Sequence, residues 1–549
     1  MKRRDMLGMA GALTALTMGS PLRAAEAMAG RPGLEPIALG PFEPTWSSLS
    51  RFQAPDWFAD AKFGIWAHWG PQCQAEAGDW YARHMYDEGS PQYEYHVKHF
   101  GHPSRFGFKD VINAWKAEEW DPDHLLGLYK RAGAQYFFAL ANHHDNFDNW
   151  ASKYQPWNST RVGPRKDLIG GWAKAARAHG LRFGGSVHAA HAWTRIETAQ
   201  HADRKGPLKG VPYDGNLRAA QGKGTWWEGL DPQDLYAQNH PLSAHSDVTK
   251  TIHSQWNWGN GASRPDRAYI DKFVNRTIDL INQHDPDLVY FDDTALPLWP
   301  ISDAGLKIAA HFYNRSVATR GKLDVVINGK VLDELQRQCM VLDIERGQSN
   351  QLEPLIWQTD TCLGNWHYQR SLFEQHGYKS AKTVIQTLAD VVSKNGNLLL
   401  SVPVRGNGTI DSDEKAVVEE IGRWMAPNGE SIFGTRPWKI FGEGPAQDKA
   451  APLTAQGFNE GKGVPFCAQD IRFTTKGDTL YAIALGWPAD GKLLIRSLSE
   501  GNPLRTEPVR AVSLCDGGPL TFTRSGRGLE VTLPSQRPAA DYAFALKIV

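Results

Sequence analysis

The sequence predicts an α/β chain: a (β/α)₈-like barrel of the TIM type followed by an antiparallel β-sandwich. Three observations carry that prediction. Short apolar runs of strand length alternate with helix-length amphipathic stretches through the first four fifths of the chain. Eight such runs can be counted, the number a (β/α)₈ barrel requires. After Trp438 the helical periodicity stops, and short alternating runs separated by Gly, Pro and Asp turns take over. At 549 residues the chain is too long for one ordinary domain, and it accommodates a barrel of roughly 250 to 400 residues plus an accessory module.

In chain order, the first segment reads as a leader. Met1-Lys-Arg-Arg-Asp-Met-Leu is a charged start with a twin arginine, followed by a small-residue apolar stretch to Leu22 and small-x-small sites at Ala25-Glu-Ala27 and Ala27-Met-Ala29. Residues 1–29 therefore have the form of a Tat-like export signal, too short in its apolar part to span a bilayer. The expectation is a soluble protein working in the periplasm or secreted.

The barrel is expected over residues 40–438. Lys62-Phe-Gly-Ile-Trp-Ala closes with His68, and Gln135-Tyr-Phe-Phe-Ala-Leu-Ala closes with Asn142, His143, His144 and Asp145. Leu181-Arg-Phe-Gly-Gly-Ser-Val closes with His188, and Leu288-Val-Tyr-Phe with Asp292 and Asp293. Leu323-Asp-Val-Val-Ile closes with Asn328, and Met340-Val-Leu-Asp-Ile with Glu345 and Arg346. Leu355-Ile-Trp-Gln-Thr leads to Asp360, and Asn397-Leu-Leu-Leu-Ser-Val to Pro403. Between them, Asp121 to Ala134, Leu168 to His179, Tyr269 to His284, Ala304 to Thr319 and Ala381 to Ser393 carry apolar residues at three and four spacing, the mark of an amphipathic helix. Thr194 to Pro265 is long, polar and Gly-rich, and contains Trp226-Trp227-Glu228 and Trp256-Asn-Trp258. Following a strand that ends in His188, it reads as a loop over the barrel mouth. Residues 439–549 form the sandwich, with strands expected at Ile471 to Thr475, Thr479 to Leu485, Leu493 to Arg496, Leu529 to Leu533 and Tyr542 to Val549.

Composition narrows the function classes. Net charge is zero and no basic block is visible, which disfavours a nucleic-acid partner. Beyond the leader, no segment is apolar enough to cross a bilayer. The five cysteines show no CxxC pairing, so a zinc knuckle or thioredoxin-like motif is excluded. An exported chain meets conditions that permit disulfides, and the spacing assigns no pairing. Twenty-one tryptophans is a high count, and Trp69, Trp80, Trp150, Trp157, Trp193, Trp299 and Trp366 stand beside polar strand ends. Aromatic faces next to hydrogen-bonding groups suit a sugar, with core packing as the alternative for each.

The chemistry concentrates at Asp292 and Asp293. Strand ends of a parallel barrel point into the site, so an Asp just past a buried run is offered to a ligand, which makes either one a candidate nucleophile. The competing role is a helix cap or loop opening. His143-His144-Asp145 with His188 and His191 also has the donor types of a divalent metal site, although HExxH spacing is absent.

At these residues the chain resembles the α-L-fucosidases of glycoside hydrolase family 29, over essentially all of the sequence after the leader. Phe63-Gly-Ile-Trp-Ala-His68-Trp-Gly is similar to the family's FGxFxHWG opening, and Gly133-Ala-Gln-Tyr through His143-His144-Asp145-Asn-Phe to its GAKY…KHHDGF run. Val391-Val-Ser-Lys-Asn-Gly-Asn-Leu-Leu-Leu and Asn428-Gly-Glu-Ser-Ile-Phe-Gly-Thr-Arg-Pro-Trp438 are close to its VVSKNGNLLLN and NGEAIYGTRPW signatures. The resemblance implies a barrel with a carboxy-terminal β-sandwich, retaining hydrolysis of terminal α-L-fucosyl units from oligo- or polysaccharides, and no metal or cofactor. It places the nucleophile at Asp292, with Asp293 where Gly is usual. Two carboxyl groups about 5 to 5.5 Å apart are required, one attacking and one protonating the leaving oxygen. Glu345 is the expected acid/base by its strand-end position, with Asp343 and Glu353 as fallbacks; Asp343 shares its parity, so alternation does not separate the two. His68, His143 and His144 match residues that bind fucose hydroxyls. Asp79 and Trp80 resemble the family's GEWY, Trp366 its WGY, and His188 stands where Tyr is common. Asn328-Gly-Lys330 replaces an NDR-like segment, and Lys lacks the planar fork of Arg. With the Trp-rich loop, these departures predict an unusual leaving-group side. The alternatives are an α-L-galactosidase of the same family and an inactive sugar-binding barrel.

Overall fold

A parallel barrel strand is covered by helices outside and packed by side chains inside, so it must be apolar on both faces. The expected runs have that character. The computed structural model of the chain describes residues 33–237, 239–447 and 459–549; the leader expected at residues 1–29 lies outside them. Eight strands form a closed barrel in chain order: β1 Phe63–Ala67, β2 Tyr136–Asn142, β3 Arg182–Val187, β4 Leu288–Thr294, β5 Val326–Lys330, β6 Val341–Glu345, β7 Trp357–Cys362 and β8 Gly396–Ser401. Every neighbouring pair is parallel, and β8 closes on β1 with Phe63 opposite Leu398. In β2 and β8 every residue is buried.

The expected helices are present: α1 Pro122–Arg131, α2 Leu168–Ala178, α3 Arg267–His284, α4 Ala304–Arg320 and α5 Ala381–Ser393, with a further α6 at Ser412–Asn428. Each of the first three opens on an Asp (Asp121, Asp167, Asp266), and α5 on Ser380; the side chain in each case accepts from a backbone N–H of the first turn. Such caps satisfy donors that a helix start leaves free. Asp303, which precedes α4, makes no such bond; that helix is stopped instead by Gly321 at φ 71°.

Two strands begin later than the apolar runs suggested, β7 at Trp357 rather than Leu355 and β5 at Val326 rather than Leu323. Leu323 to Val325 precede β5, because the Asp324 N–H bonds the Ser316 hydroxyl at 2.9 Å and pairing with β4 starts only at Val326. The shift carries Asn328, Gly329 and Lys330 into the strand and brings Lys330 to its upper end.

After the barrel come two antiparallel sheets. One has the order β13 (Val512–Leu514), β16 (Phe544–Ile548), β11 (Thr479–Ala484), β10 (Ile471–Lys476) and β9 (Arg436–Glu443), the other β12 (Lys492–Ile495), β15 (Gly528–Thr532) and β14 (Phe522–Ser525). The five expected strands appear as β10 Ile471–Lys476, β11 Thr479–Ala484, β12 Lys492–Ile495, β15 Gly528–Thr532 and β16 Phe544–Ile548. Three others, β9 Arg436–Glu443, β13 Val512–Leu514 and β14 Phe522–Ser525, were not legible as apolar runs. All three lie at sheet edges, where one face and one ladder are open and alternation weakens. Phe473, Leu480, Leu493, Leu529 and Leu546 fill the core between the sheets. All five cysteines are free thiols, and no described helix is long and apolar enough to cross a membrane.

A buried ion cluster fastens the second module to the first. Asp390 on α5 accepts from Arg472 of β10 at 2.6 Å and from Lys394 at 2.6 Å, all three side chains being buried. Removing the shared anion strands two cations out of water, at a cost of about 3 to 5 kcal/mol. Asp390→Ala is therefore expected to lower the chemical denaturation midpoint by that equivalent, whereas Lys415→Ala, at an exposed pair with Glu419, leaves it within about 0.5 kcal/mol of wild type.

Candidate active site

The upper ends of the strands surround a cavity of about 490 Å³. Asp292, Glu345, His68, Asp79, Trp80, His143, His144, His188 and Trp366 all line it, so the residues singled out from sequence converge on one place. Several strands lose regular pairing there. The β2–β3 register shifts between Leu140 and Asn142, and the β4–β5 register between Tyr290 and Thr294, just where the histidines and aspartates emerge. Irregularities of this kind re-aim side chains at a barrel rim. The residue after each of three site residues is also held in the left-handed region: Trp80 (φ 62°) follows Asp79, Val331 (φ 55°) follows Lys330, and Arg346 (φ 45°) follows Glu345. For β-branched Val331 this is a true strain, of about 1 to 3 kcal/mol, that the surrounding packing must hold.

Lys330 is the electrostatic centre. Its Nζ lies 2.7 Å from Oδ1 of Asp292 and 2.5 Å from Oε2 of Glu345. Two oxygens this close to one nitrogen are at most about 5.2 Å from each other. The other oxygen of Asp292 accepts from Nε2–H of His144 at 3.0 Å and Nδ1–H of His188 at 3.2 Å. Burial by itself would raise the Asp292 pKa; the Lys330 charge and the two imidazole bonds overcome it and hold the carboxylate well below its ordinary range. Lys330 is driven well above its own ordinary value, since the carboxylates around it outweigh burial.

The histidines form a buried neutral set. Burial keeps His68 and His143 well below the usual imidazole value, lowers His188, and pushes His144 down to about 3. His144 has an acceptor at each ring nitrogen, Asp292 3.0 Å from Nε2 and the His188 carbonyl 2.8 Å from Nδ1. Gln72 Nε2 donates to His143 Nδ1 at 2.9 Å, which leaves the His143 proton on Nε2. Neither nitrogen of His68 has a partner, nor does Nε2 of His188. Buried polar atoms left open beside a cavity are sites for a hydroxylated ligand.

The remaining acids divide cleanly. Asp343 and Asp360 lie deeper, with Tyr290 donating to Asp360 at 2.8 Å and Gln358 to Asp343 at 2.8 Å. Burial raises Asp343 well above the carboxylate range and Asp360 to about 7, so each tends to keep its proton. Glu353, a fallback acid from sequence, does not reach the cavity: Arg337 and Ser349 hold it at 2.8 and 2.7 Å. Asp79 reaches the cavity, but its oxygens accept the backbone N–H groups of His367 at 2.7 Å and Trp366 at 3.3 Å, so it anchors the Trp366 turn. The tryptophan expectation needs a larger correction. Trp69, Trp150 and Trp157 are fully packed, Trp193 stacks on His240 at 3.9 Å, and Trp299 packs edge-on against Trp46 at 5.1 Å; of the seven singled out only Trp80 and Trp366 line the cavity.

Sequence reasoning did not pick out Trp66, Tyr290, His253, Trp256 or Asp360 as lining residues. Trp66 and Tyr290 sit inside apolar runs, and only strand parity marks them as inward. His253 and Trp256 come from the long loop, whose path nothing local announces. The metal alternative also separates. Among the described residues, ligand atoms converge in His68–His143–His367 and in His143–His144–His188, within 4.8 Å of one another. Asp145 instead accepts from the Phe147 N–H at 3.2 Å, and His191 faces Asp293.

Known proteins resemble the chain along most of its length. The family model described as alpha-L-fucosidase matches residues 35–430, and that of the alpha-L-fucosidase C-terminal domain matches residues 465–549. The chain is 26% identical to the tissue alpha-L-fucosidase of Bos taurus over 525 residues, covering 92% of this chain and 91% of that protein. It is 25% identical to that of Homo sapiens over 524 residues, with 92% and 91% covered. Among solved structures, the Thermotoga maritima alpha-fucosidase in complex with a mechanism-based inhibitor superposes with a TM-score of 0.66 at 26% identity, covering 92% of this chain and all of that one.

The Lys330 bridge generates a prediction about pH. A carboxylate with a depressed pKa is protonated only as pH falls through that low value, so activity needing ionised Asp292 persists to low pH. Lys330→Gln removes the charge that lowers it, and the acid limb of kcat/KM against pH is expected to move upward by at least about one unit, with activity at the acid end lost first.

Proposed function

The chain belongs to the α-L-fucosidase family of glycoside hydrolases, and from that premise we propose that it releases terminal α-L-fucosyl residues from oligo- or polysaccharides with retention of anomeric configuration. The observation that carries the retaining mechanism is the shared Lys330. It holds the facing oxygens of Asp292 and Glu345 no more than about 5.2 Å apart, which favours the close carboxyl pair of retaining enzymes, roughly 5 to 5.5 Å, over the wider pair of inverting ones.

The two acids take different roles because their surroundings differ. Asp292, with three donors on two oxygens, is the ionised nucleophile and attacks the anomeric carbon. Glu345 ends β6 at the cavity edge with a single charged partner, and it protonates the departing oxygen. In the second step Glu345 takes a proton from water, which displaces Asp292 and restores the starting configuration. As Asp292 gives up its charge to the sugar and Glu345 its proton to the departing oxygen, Lys330 is left beside the Glu345 carboxylate that serves as base in the second step.

Recognition follows from the open imidazoles. Free nitrogens of His68 and His188 and the Nε2–H of His143 offer donors and acceptors to ring hydroxyls, while Trp66, Trp366 and Tyr290 present an apolar wall to C–H faces and the C6 methyl. The leader at residues 1–29 supports work in the periplasm or outside the cell.

Hydrolysis of 4-nitrophenyl α-L-fucopyranoside followed by NMR is expected to give α-L-fucose as the first product; β-L-fucose first would reject retention. Asp292→Ala should lower kcat by about 10³-fold or more, and azide should restore turnover with inverted fucosyl azide as product. Glu345→Ala should be rescued to the retained azide. Faster cleavage of the matching L-galactoside would instead identify the sister specificity.

A further inference from the structure

The long segment between β3 and α3 sends one side chain to the cavity by an unusual route. Trp256 lines the cavity, and one face of its indole lies on the ring of His191 at 3.8 Å and 18°. Trp258 covers the opposite face of His191 at 4.7 Å and 10°, so the imidazole is sandwiched between two indoles. Nε2 of His191 stands 2.8 Å from Oδ1 of Asp293, and both side chains are buried. Asp293 directly follows Asp292 on β4. The ring of His144, which bonds Asp292, meets Trp256 edge-on at 5.3 Å and 90°. Trp256 is therefore tied to the nucleophile strand through two separate contacts, one by way of Asp293 and one by way of His144.

The indole is part of the cavity lining. Trp256 is only half-buried, whereas Trp66, in the apolar wall below, is almost completely enclosed. The deep wall accounts for the fucosyl ring, and the entrance holds Trp256. In a pocket that takes a terminal sugar, what lies at the entrance is the unit to which that sugar is attached.

Resting on the fucosidase reading, we propose that Trp256 is a stacking platform for the leaving-group sugar, and that His191 and Asp293 are positioning residues that hold the platform at a fixed height above Asp292. An indole face favours the C–H face of a pyranose and tolerates many hydroxyl patterns. A rigid platform loses little entropy on binding, whereas a loop tryptophan without its clamp must be ordered by the ligand. The clamp thus turns a loop residue into a specificity determinant.

The test compares α-L-fucosyl fluoride, whose leaving group has no ring, with a panel of fucosylated oligosaccharides. Trp256→Ala is expected to lower kcat/KM on the oligosaccharide best cleaved by wild type about tenfold or more, chiefly through KM, with a loss on the fluoride at least fivefold smaller. Trp256→Phe, which keeps an aromatic face, should fall between. Asp293→Ala should reproduce the selective loss and alter the near-ultraviolet circular dichroism of the stacked rings. Asp293→Asn, which retains an oxygen acceptor for His191, should restore most of both. Equal losses on the two substrates, or hydrolysis of the fluoride with no cleavage of any oligosaccharide by wild type, overturns the platform. Failure of wild type to hydrolyse the fluoride rejects the fucosidase reading itself, and the platform with it.

Discussion

One buried ammonium organises the upper end of this barrel. Asp292, Glu345, Asp343 and Asp360 crowd around Lys330, and four ionised carboxylates so far from water would cost far more than one cation could repay. The structure resolves the excess by depth. Asp292, in direct contact with Lys330, keeps its charge, and Asp343 and Asp360 beneath are pushed toward the neutral form by burial. Neutral acids still need partners, and Tyr290, Gln358 and Tyr136 supply a hydrogen-bonded column reaching into the barrel: Tyr136 donates to Gln358 at 2.9 Å, Gln358 to Asp343, and Tyr290 to Asp360. The barrel's polar interior is thus a consequence of the charge arrangement at its mouth.

The neutral histidines follow from the same constraint. A second cation beside Lys330 would compete for Asp292 and meet repulsion in a low dielectric, so imidazoles serve where further lysines or arginines could not. Being neutral, they donate through one nitrogen and accept through the other, and a sugar hydroxyl needs both. His188 shows the economy of this: Nδ1–H bonds Asp292, and Nε2 has no protein partner.

Most of the barrel was legible in the sequence because parallel strands buried on both faces are continuous apolar runs, and each ended near its expected polar residue. What was not legible has physical reasons. Edge strands β9, β13 and β14 lack the alternation that burial of one face enforces on inner antiparallel strands. The start of β5 was misplaced because Val325 is as apolar as Val326, and only the Asp324–Ser316 bond tells them apart. Trp150 and Trp256 look alike in sequence, but one donates its N–H to Asp279 at 3.1 Å within the core and the other crosses a long loop to the cavity. Lys330 was visible only as a departure from the family's arginine, and its bridging role needed the fold to bring β4 and β6 to either side of β5.

The arrangement also explains why the mouth is braced from outside the barrel. Glu345 is followed at once by Arg346 in a left-handed conformation, a position that would relax if unsupported. The second module supplies the support. Glu460 accepts from Arg346 at 3.1 Å, from Thr361 at 2.6 Å and from Lys379 at 2.9 Å, while its own N–H bonds the Arg346 carbonyl at 2.9 Å. On the other side the long loop packs His253 against Trp80 at 5.0 Å and Trp256 against His191. The strand ends carrying Asp292 and Glu345 are thus braced by contacts from the long loop and the carboxy-terminal module. A separation that must be held to a few tenths of an ångström is set by β5 between them and secured by the loop on the Asp292 side and the carboxy-terminal module on the Glu345 side.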